Sequence, residues 1–173
     1  VRISLGVSMD RQQINLKLVI EGLGLPFVVD NFVDRLILQK AVYLAQAGGT
    51  HLGYYYKWYL KGPYCSDLAE DSFAIRCEID QDMDDSKRWV LDSDSVSLME
   101  TLKGLIHVDP SDKEVGAKRL ELLASVHFLI DRNQGQEDNI PGMVATLKEF
   151  EKDFSEDQVS EALGELHEYT LLT

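Results

Sequence analysis

The stretch from Arg35 to Ala69, RLILQKAVYLAQAGGTHLGYYYKWYLKGPYCSDLA, limits what this chain can fold into more than any other. Its first part predicts an apolar helix over 31–47. Val33, Ile37, Ala41, Leu44 and Ala45 recur at helical spacing, and Leu38 and Val42 widen the stripe. Asp30 or Asn31 caps the start, and Gly48-Gly49 stops the helix because glycine enters the left-handed region without a Cβ penalty. A helix this apolar belongs at the centre of a core. The second part, GYYYKWYL over 53–60, is aromatic-rich and predicts a strand. Alternation puts Tyr54, Tyr56, Trp58 and Leu60 on one face and Tyr55, Lys57 and Tyr59 on the other. One face is core; the other stays wet enough for recognition. Lys61-Gly62-Pro63-Tyr64 then turns the chain into a helix capped by Ser66 or Asp67, with Glu70 completing a capping box on Asp67. That helix runs to about Ile79, with Leu68 and Phe73 marking its faces.

Before this stretch, residues 9–24 read as a helix with Ile14, Leu18 and Val19 on one face. Residues before Met9 carry no weight in the reading. Beyond it, DQDMDDSKR (80–88) is a polar break, and Trp89-Val90-Leu91 predicts a short strand pairing with the tyrosine-rich one. A helix over 95–107 carries Val96, Met99, Leu102 and Ile106. A long helix over 112–130 offers Val115, Leu120, Leu123, Ala124, Val126, His127 and Ile130 to the core. Pro141 opens a helix with Met143, Leu147 and Phe150, and Ser155-x-x-Gln158 is a capping box for a last helix carrying Val159, Ala162, Leu163 and Leu166. The expected class is mainly α with a small antiparallel β-ribbon, about seven helices packed around helix 31–47. At 173 residues the chain fits a single domain over 1–173.

Chemistry leaves few handholds. Asp80-x-Asp82-x-Asp84 opens like a calcium loop, but Asp85 and Leu91 stand where that loop needs Gly and Glu. The four histidines are scattered, no serine sits in a nucleophile elbow, and no phosphate-binding glycine loop occurs. Cys65 and Cys77 form no paired metal motif and predict no disulfide framework. The expectation is a protein without catalytic residues, metal or cofactor. No apolar run reaches the roughly 20 residues of a membrane span and no export signal is visible, which predicts a cytoplasmic protein.

Charge narrows the partners. Residues 1–60 hold six Lys/Arg and four Asp/Glu, whereas 61–173 hold eleven and twenty-six, giving −13 for the whole. Such a surface repels a phosphate backbone, so nucleic acid is disfavoured, and a basic protein partner or a nucleic-acid-like acidic surface fits instead. A winged-helix DNA-binding regulator is the second reading, because Arg35, Lys40, Lys57 and Lys61 interleave with stacking aromatics.

LQKAVYLAQ (38–46) followed by LGYYYKWYLKGPYCSDLAEDSF (52–73) resembles the YwgA-like family and, more distantly, SocA-like "Panacea" antitoxin domains. Similar features occur in the toxin-neutralising part of DarG-type antitoxins. The shared pattern is LQK-x-x-Y-x-x-Q, an aromatic strand, and Gly-Pro leading into a helix. It spans about 40 residues closely, within a core of 10–108 on which a helical part, 109–173, packs. The strand is more tyrosine-rich than the Panacea pattern. The resemblance implies no cofactor and a role in binding and neutralising, or adapting, another protein, such as a toxin encoded nearby. An adaptor of a mobile element or defence system is a further alternative. The residues expected to form the functional surface are Lys40, Tyr43, Tyr55, Lys57, Tyr59, Lys61 and Tyr64. Lys40 and the Gly-Pro turn read equally well as a pin for the helix-to-strand junction. An exposed aromatic strand edge would also suit a homodimer.

Overall fold

A computed structural model describes residues 9–173; the start, 1–8, lies outside the described residues. Seven α-helices and one two-stranded antiparallel ribbon make up the described chain, so the fold is mainly α with a small β-ribbon.

Helix α1 (Arg11–Gly22) opens on a capping box, in which Asp10 accepts from the Gln13 N–H and Gln13 accepts in return from the Asp10 N–H. It buries Leu16, Val19 and Ile20 rather than the expected Ile14 and Leu18, which lie half-buried. The face is turned because Lys17 is buried as well, held between Glu21 and Asp84. Helix α2 (Phe32–Ala47) is capped by Asn31, and every residue from Leu38 to Ala45 is buried. Burial on all sides explains why its sequence is apolar beyond a single stripe. Gly49, at φ +111°, supplies the left-handed exit.

The ribbon corrects one expectation. Strand β1 (Lys57–Tyr59) pairs with β2 (Gly62–Tyr64), not with Trp89-Val90-Leu91. The register sets Lys57 opposite Tyr64, Trp58 opposite Pro63 and Tyr59 opposite Gly62. Leu60 and Lys61 form a two-residue loop, and Gly62 sits at φ +82°. A loop that short costs far less closure entropy than pairing across some thirty residues. Trp89 and Val90 instead follow a 3₁₀ turn (Asp85–Arg88) and lie exposed. Alternation holds for Tyr54, Tyr56 and Trp58 inside and Tyr55, Lys57 and Tyr59 outside; Leu60, in the loop, turns outward.

Helix α3 (Ser66–Asp80) starts one residue earlier than expected: Cys65 is its N-cap, and the Asp67 capping box does not form. Its inner face is Leu68, Ser72 and Ile75, leaving Phe73 outside. Helix α4 (Ser93–Leu102), capped by Asp92, buries Met99 and Leu102 but not Val96. Helix α5 (Lys113–Asp131) is buried without a break from Leu120 to Leu129 and lies along α2, while Val115 points to solvent. An ion pair between Lys113 and buried Asp34 (2.8 Å) also joins the two helices. Helix α7 (Glu156–Glu168) packs on α5 and helix α6 (Ile140–Glu149) on α7, and the Ser155/Gln158 capping box forms as expected. Phe150 stays part-exposed and packs on Trp58, with ring centroids 4.8 Å apart. One cluster of buried apolar side chains runs from Met9 to Leu172. No helix among the described residues is long and apolar enough to cross a membrane.

Candidate functional site

The residues of the LQK-x-x-Y-x-x-Q pattern act together to hold the aromatic segment against α2. Gln39 donates from Nε2 to the Cys65 carbonyl (2.8 Å) and accepts at Oε1 from the Cys65 N–H (3.0 Å). Gln46, seven residues or two turns further on, treats Tyr54 the same way, at 2.9 and 3.0 Å. Each amide replaces a missing strand neighbour, satisfying one donor and one acceptor of the backbone. Between them, Lys40 Nζ donates to the Pro63 carbonyl at 2.6 Å, and the Tyr56 hydroxyl donates to the Gln39 carbonyl. Tyr43 lies on the same helix face between the two glutamines and packs edge-on against Tyr56, with ring centroids 5.1 Å apart. Its hydroxyl meets His127 Nδ1 at 2.8 Å, while His127 Nε2 meets the Leu171 carbonyl. A carbonyl can only accept, so the ring carries its proton on Nε2 and accepts a hydrogen bond from the Tyr43 hydroxyl at Nδ1.

Electrostatics beneath the ribbon are unusual. Burial pulls Lys40 down to about 7, with Glu121 opposing the shift and Lys152 adding to it. Lys152 is buried too and pairs with Glu121, donating also to the Leu60 carbonyl at 3.3 Å. Two interior lysines thus share one carboxylate. Burial likewise raises the Tyr43 and Tyr56 hydroxyls and lowers His127. Ser125 Oγ lies buried behind Gly62 with no hydrogen-bond partner among the described residues.

Above this clamped backbone lies a groove of about 340 Å³ between the first turns of α2, the ribbon's loop and α3. Phe32 and Leu36 form one wall, Phe73 and Ala69 another, and Tyr59, Leu60 and Tyr64 the third. Phe32, Tyr59, Leu60, Tyr64 and Phe73 are 37% to 72% exposed, far more than a core aromatic would be. Tyr59 and Tyr64 face each other at 5.5 Å between ring centroids. The charged side chains in the lining are Arg35, Lys40 and Lys61; no carboxylate among the described residues lines it.

Of the seven residues expected at a functional surface, the structure brings Tyr59, Lys61 and Tyr64 together at this groove. Lys40 and Tyr43 are corrected. They are 1% and 7% exposed, and their polar atoms are used inside the fold; for Lys40 the alternative reading holds, since its bond to the Pro63 carbonyl pins the helix to the Gly-Pro turn. Tyr55 and Lys57 are exposed but lie outside the groove. Phe32, Leu36, Leu60 and Phe73 complete the site and were not anticipated; Arg35 also lines it, expected only as a contact in the DNA-binding reading. Phe32 and Phe73 each lie off the buried face of their helix, and such unplaced aromatics are the signal that could have found them. Among the described residues, no group of three or more His, Cys, Asp or Glu side chains converges to hold a metal ion. Cys65 and Cys77 are both free. Comparison with protein-family models, curated proteins and solved structures gave no match.

Proposed function

We propose that this chain is a non-enzymatic, antitoxin-like interaction module that binds and neutralises, or adapts, a partner protein at the groove between α2, the ribbon and α3. The observation that carries the reading is the ring of five exposed apolar side chains around a cleft whose floor is fixed by buried hydrogen bonds. Exposed apolar patches rimmed by polar residues mark interaction sites, and aromatic anchors on a rigid base contribute most of the affinity at such interfaces. Resemblance to the YwgA-like and Panacea domains supports the same reading through the LQK-x-x-Y-x-x-Q pattern. In this chain the pattern builds the rigid base rather than the contact surface. The acidic balance of 61–173 leaves room for a second, nucleic-acid-like contact away from the groove. Helix α2 is ill-suited to read DNA, since it is buried without a break from Leu38 to Ala45.

The test is co-expression with the product of the adjacent reading frame. A product that is toxic alone and harmless with this chain is the expected result. Replacing Tyr59 and Phe73 together with alanine should then weaken binding by about tenfold or more while leaving the thermal transition in place. Full neutralisation by that variant, with binding unchanged, would remove the groove from the reading.

A further inference from the structure

Arg35 and Lys61 meet at the groove, with Lys40 buried beneath them, in a chain with 30 carboxylates and 17 Lys/Arg. Arg35, Lys40 and Lys61 make no salt bridge among the described residues, although nine other Lys and Arg side chains do. Arg35 spends one donor on the Val29 carbonyl at 3.2 Å, and Lys40 has only the Pro63 carbonyl. In a protein with this surplus of acid, leaving Arg35 and Lys61 without a carboxylate in the groove's lining makes a local positive site against a negative whole. Apolar walls around it lower the local dielectric and concentrate the field in the cleft.

We infer that the occupant of the groove is a short polypeptide segment of the partner in which a bulky apolar side chain is flanked by carboxylates. The apolar side chain enters between Tyr59, Tyr64 and Phe73, and the carboxylates face Arg35 and Lys61 at the rim. This inference rests on the groove being the docking site proposed above and adds the chemistry of what docks there.

The form of the cleft favours a polypeptide over a free acid. At about 340 Å³ the cleft lies near the lower limit for enclosed ligand sites, roughly 300–1,000 Å³. Phe32 and Leu60 expose apolar surface at its rim, 56% and 72%, which a small acid seated in the cleft would leave wet. A segment of chain covers rim and cleft together. A second copy of this protein would bring another −13 of charge, and nucleic acid offers phosphates where the walls ask for an apolar group.

The experiment titrates the isotope-labelled full chain with three probes, followed by backbone amide shifts. They are a capped hexapeptide Glu-Asp-Trp-Phe-Asp-Leu, its counterpart Lys-Lys-Trp-Phe-Lys-Leu, and decanoate. The acidic peptide should shift Tyr59, Lys61, Tyr64 and Phe73 and bind about tenfold or more tighter than the basic one. Its affinity should fall about tenfold in Lys61→Glu, and fall as salt rises from about 0.1 M to about 1 M. Lys61 is exposed in the loop, and an unchanged thermal transition shows that the variant folds. Equal binding of both peptides at the groove overturns the carboxylate requirement but leaves the docking reading standing. Saturation by decanoate with no peptide response makes the site one for free acids and overturns the inference. No response to any probe does so too, and the docking reading then stands or falls on the Tyr59/Phe73 neutralisation assay. Shifts confined to other surfaces, or concentration-dependent dimerisation through these residues, also overturn it.

Discussion

Gly62 is the position where a single methyl group does most harm. Its φ of +82° is one that L side chains rarely adopt, and an added Cβ would meet Ser125 Oγ closer than any van der Waals contact permits. Gly62→Ala should therefore cost about 2–3 kcal/mol, read as a lower urea midpoint at unchanged m. Adding Ser125→Ala should recover the steric part and leave the backbone part, about 1 kcal/mol or more. Lys40 makes a different demand. Its proton leaves near pH 7 in the fold but stays on until about 10.5 in the unfolded chain. Between those values the unfolded state binds more protons, so stability rises with pH. Lys152, also lowered by burial, acts in the same sense. The buried tyrosines act oppositely: Tyr43, Tyr54 and Tyr56 are raised, so their contribution is present below pH 10 and is lost above it. The clean window is thus about pH 7 to 9.5, where stability should climb by up to about 3 kcal/mol. Lys40→Met should flatten most of that slope. An unchanged slope in chemical denaturation across the window would show that Lys40 keeps its proton.

At the scale of elements, the ribbon is too short to stand alone, because an isolated two-stranded hairpin is marginal in water. It persists because α2 offers it Gln39 and Gln46 as substitute strand partners, two turns apart on one helix face. Gln39→Ala strips both partners from Cys65 in a buried place, and should cost about 2–4 kcal/mol. Hydrogen exchange should show Trp58 to Tyr64 opening faster while α2 stays protected. Equal acceleration throughout α2 would mean that the helix, not the ribbon, depends on this amide. This clamp was not legible in the sequence. The helices were, because apolar spacing and caps such as Asn31 and Ser155 are local signals. A buried glutamine amide has no periodicity, and the Trp89–Leu91 segment looked like a strand because β-propensity ignores the entropy of closing the loop. The same limit hid half of the groove. Tyr59, Lys61 and Tyr64 stood out beside each other in the chain, whereas Phe32 and Phe73 reach the site only through the packing of α2 against α3.

For the whole molecule, the question is whether the part of the chain that carries the family-like pattern, up to residue 108, can hold its shape without residues 109–173. The packing argues that it cannot. The unbroken buried run of α2 from Leu38 to Ala45 lies along the equally unbroken run of α5 from Leu120 to Leu129. Polar contacts follow the same division. Asp34 needs Lys113, Tyr43 needs His127, and the Leu60 carbonyl takes Lys152 from beyond α6. Cutting after Val108 would expose the α2 face and strand Asp34 without its cation, a loss of many kcal/mol against a total stability of about 5–15 kcal/mol. The fragment 9–108 should keep helical circular dichroism, bind a hydrophobic dye and melt without a cooperative transition. Mixing it with 109–173 should restore cooperativity, since the helical part supplies both the apolar face and the buried partners. A sharp, dye-free transition in the isolated fragment would show instead that the pattern-bearing core folds by itself. The groove, built wholly from residues 29–73, would then be a transferable binding unit, and α5 a later addition to it.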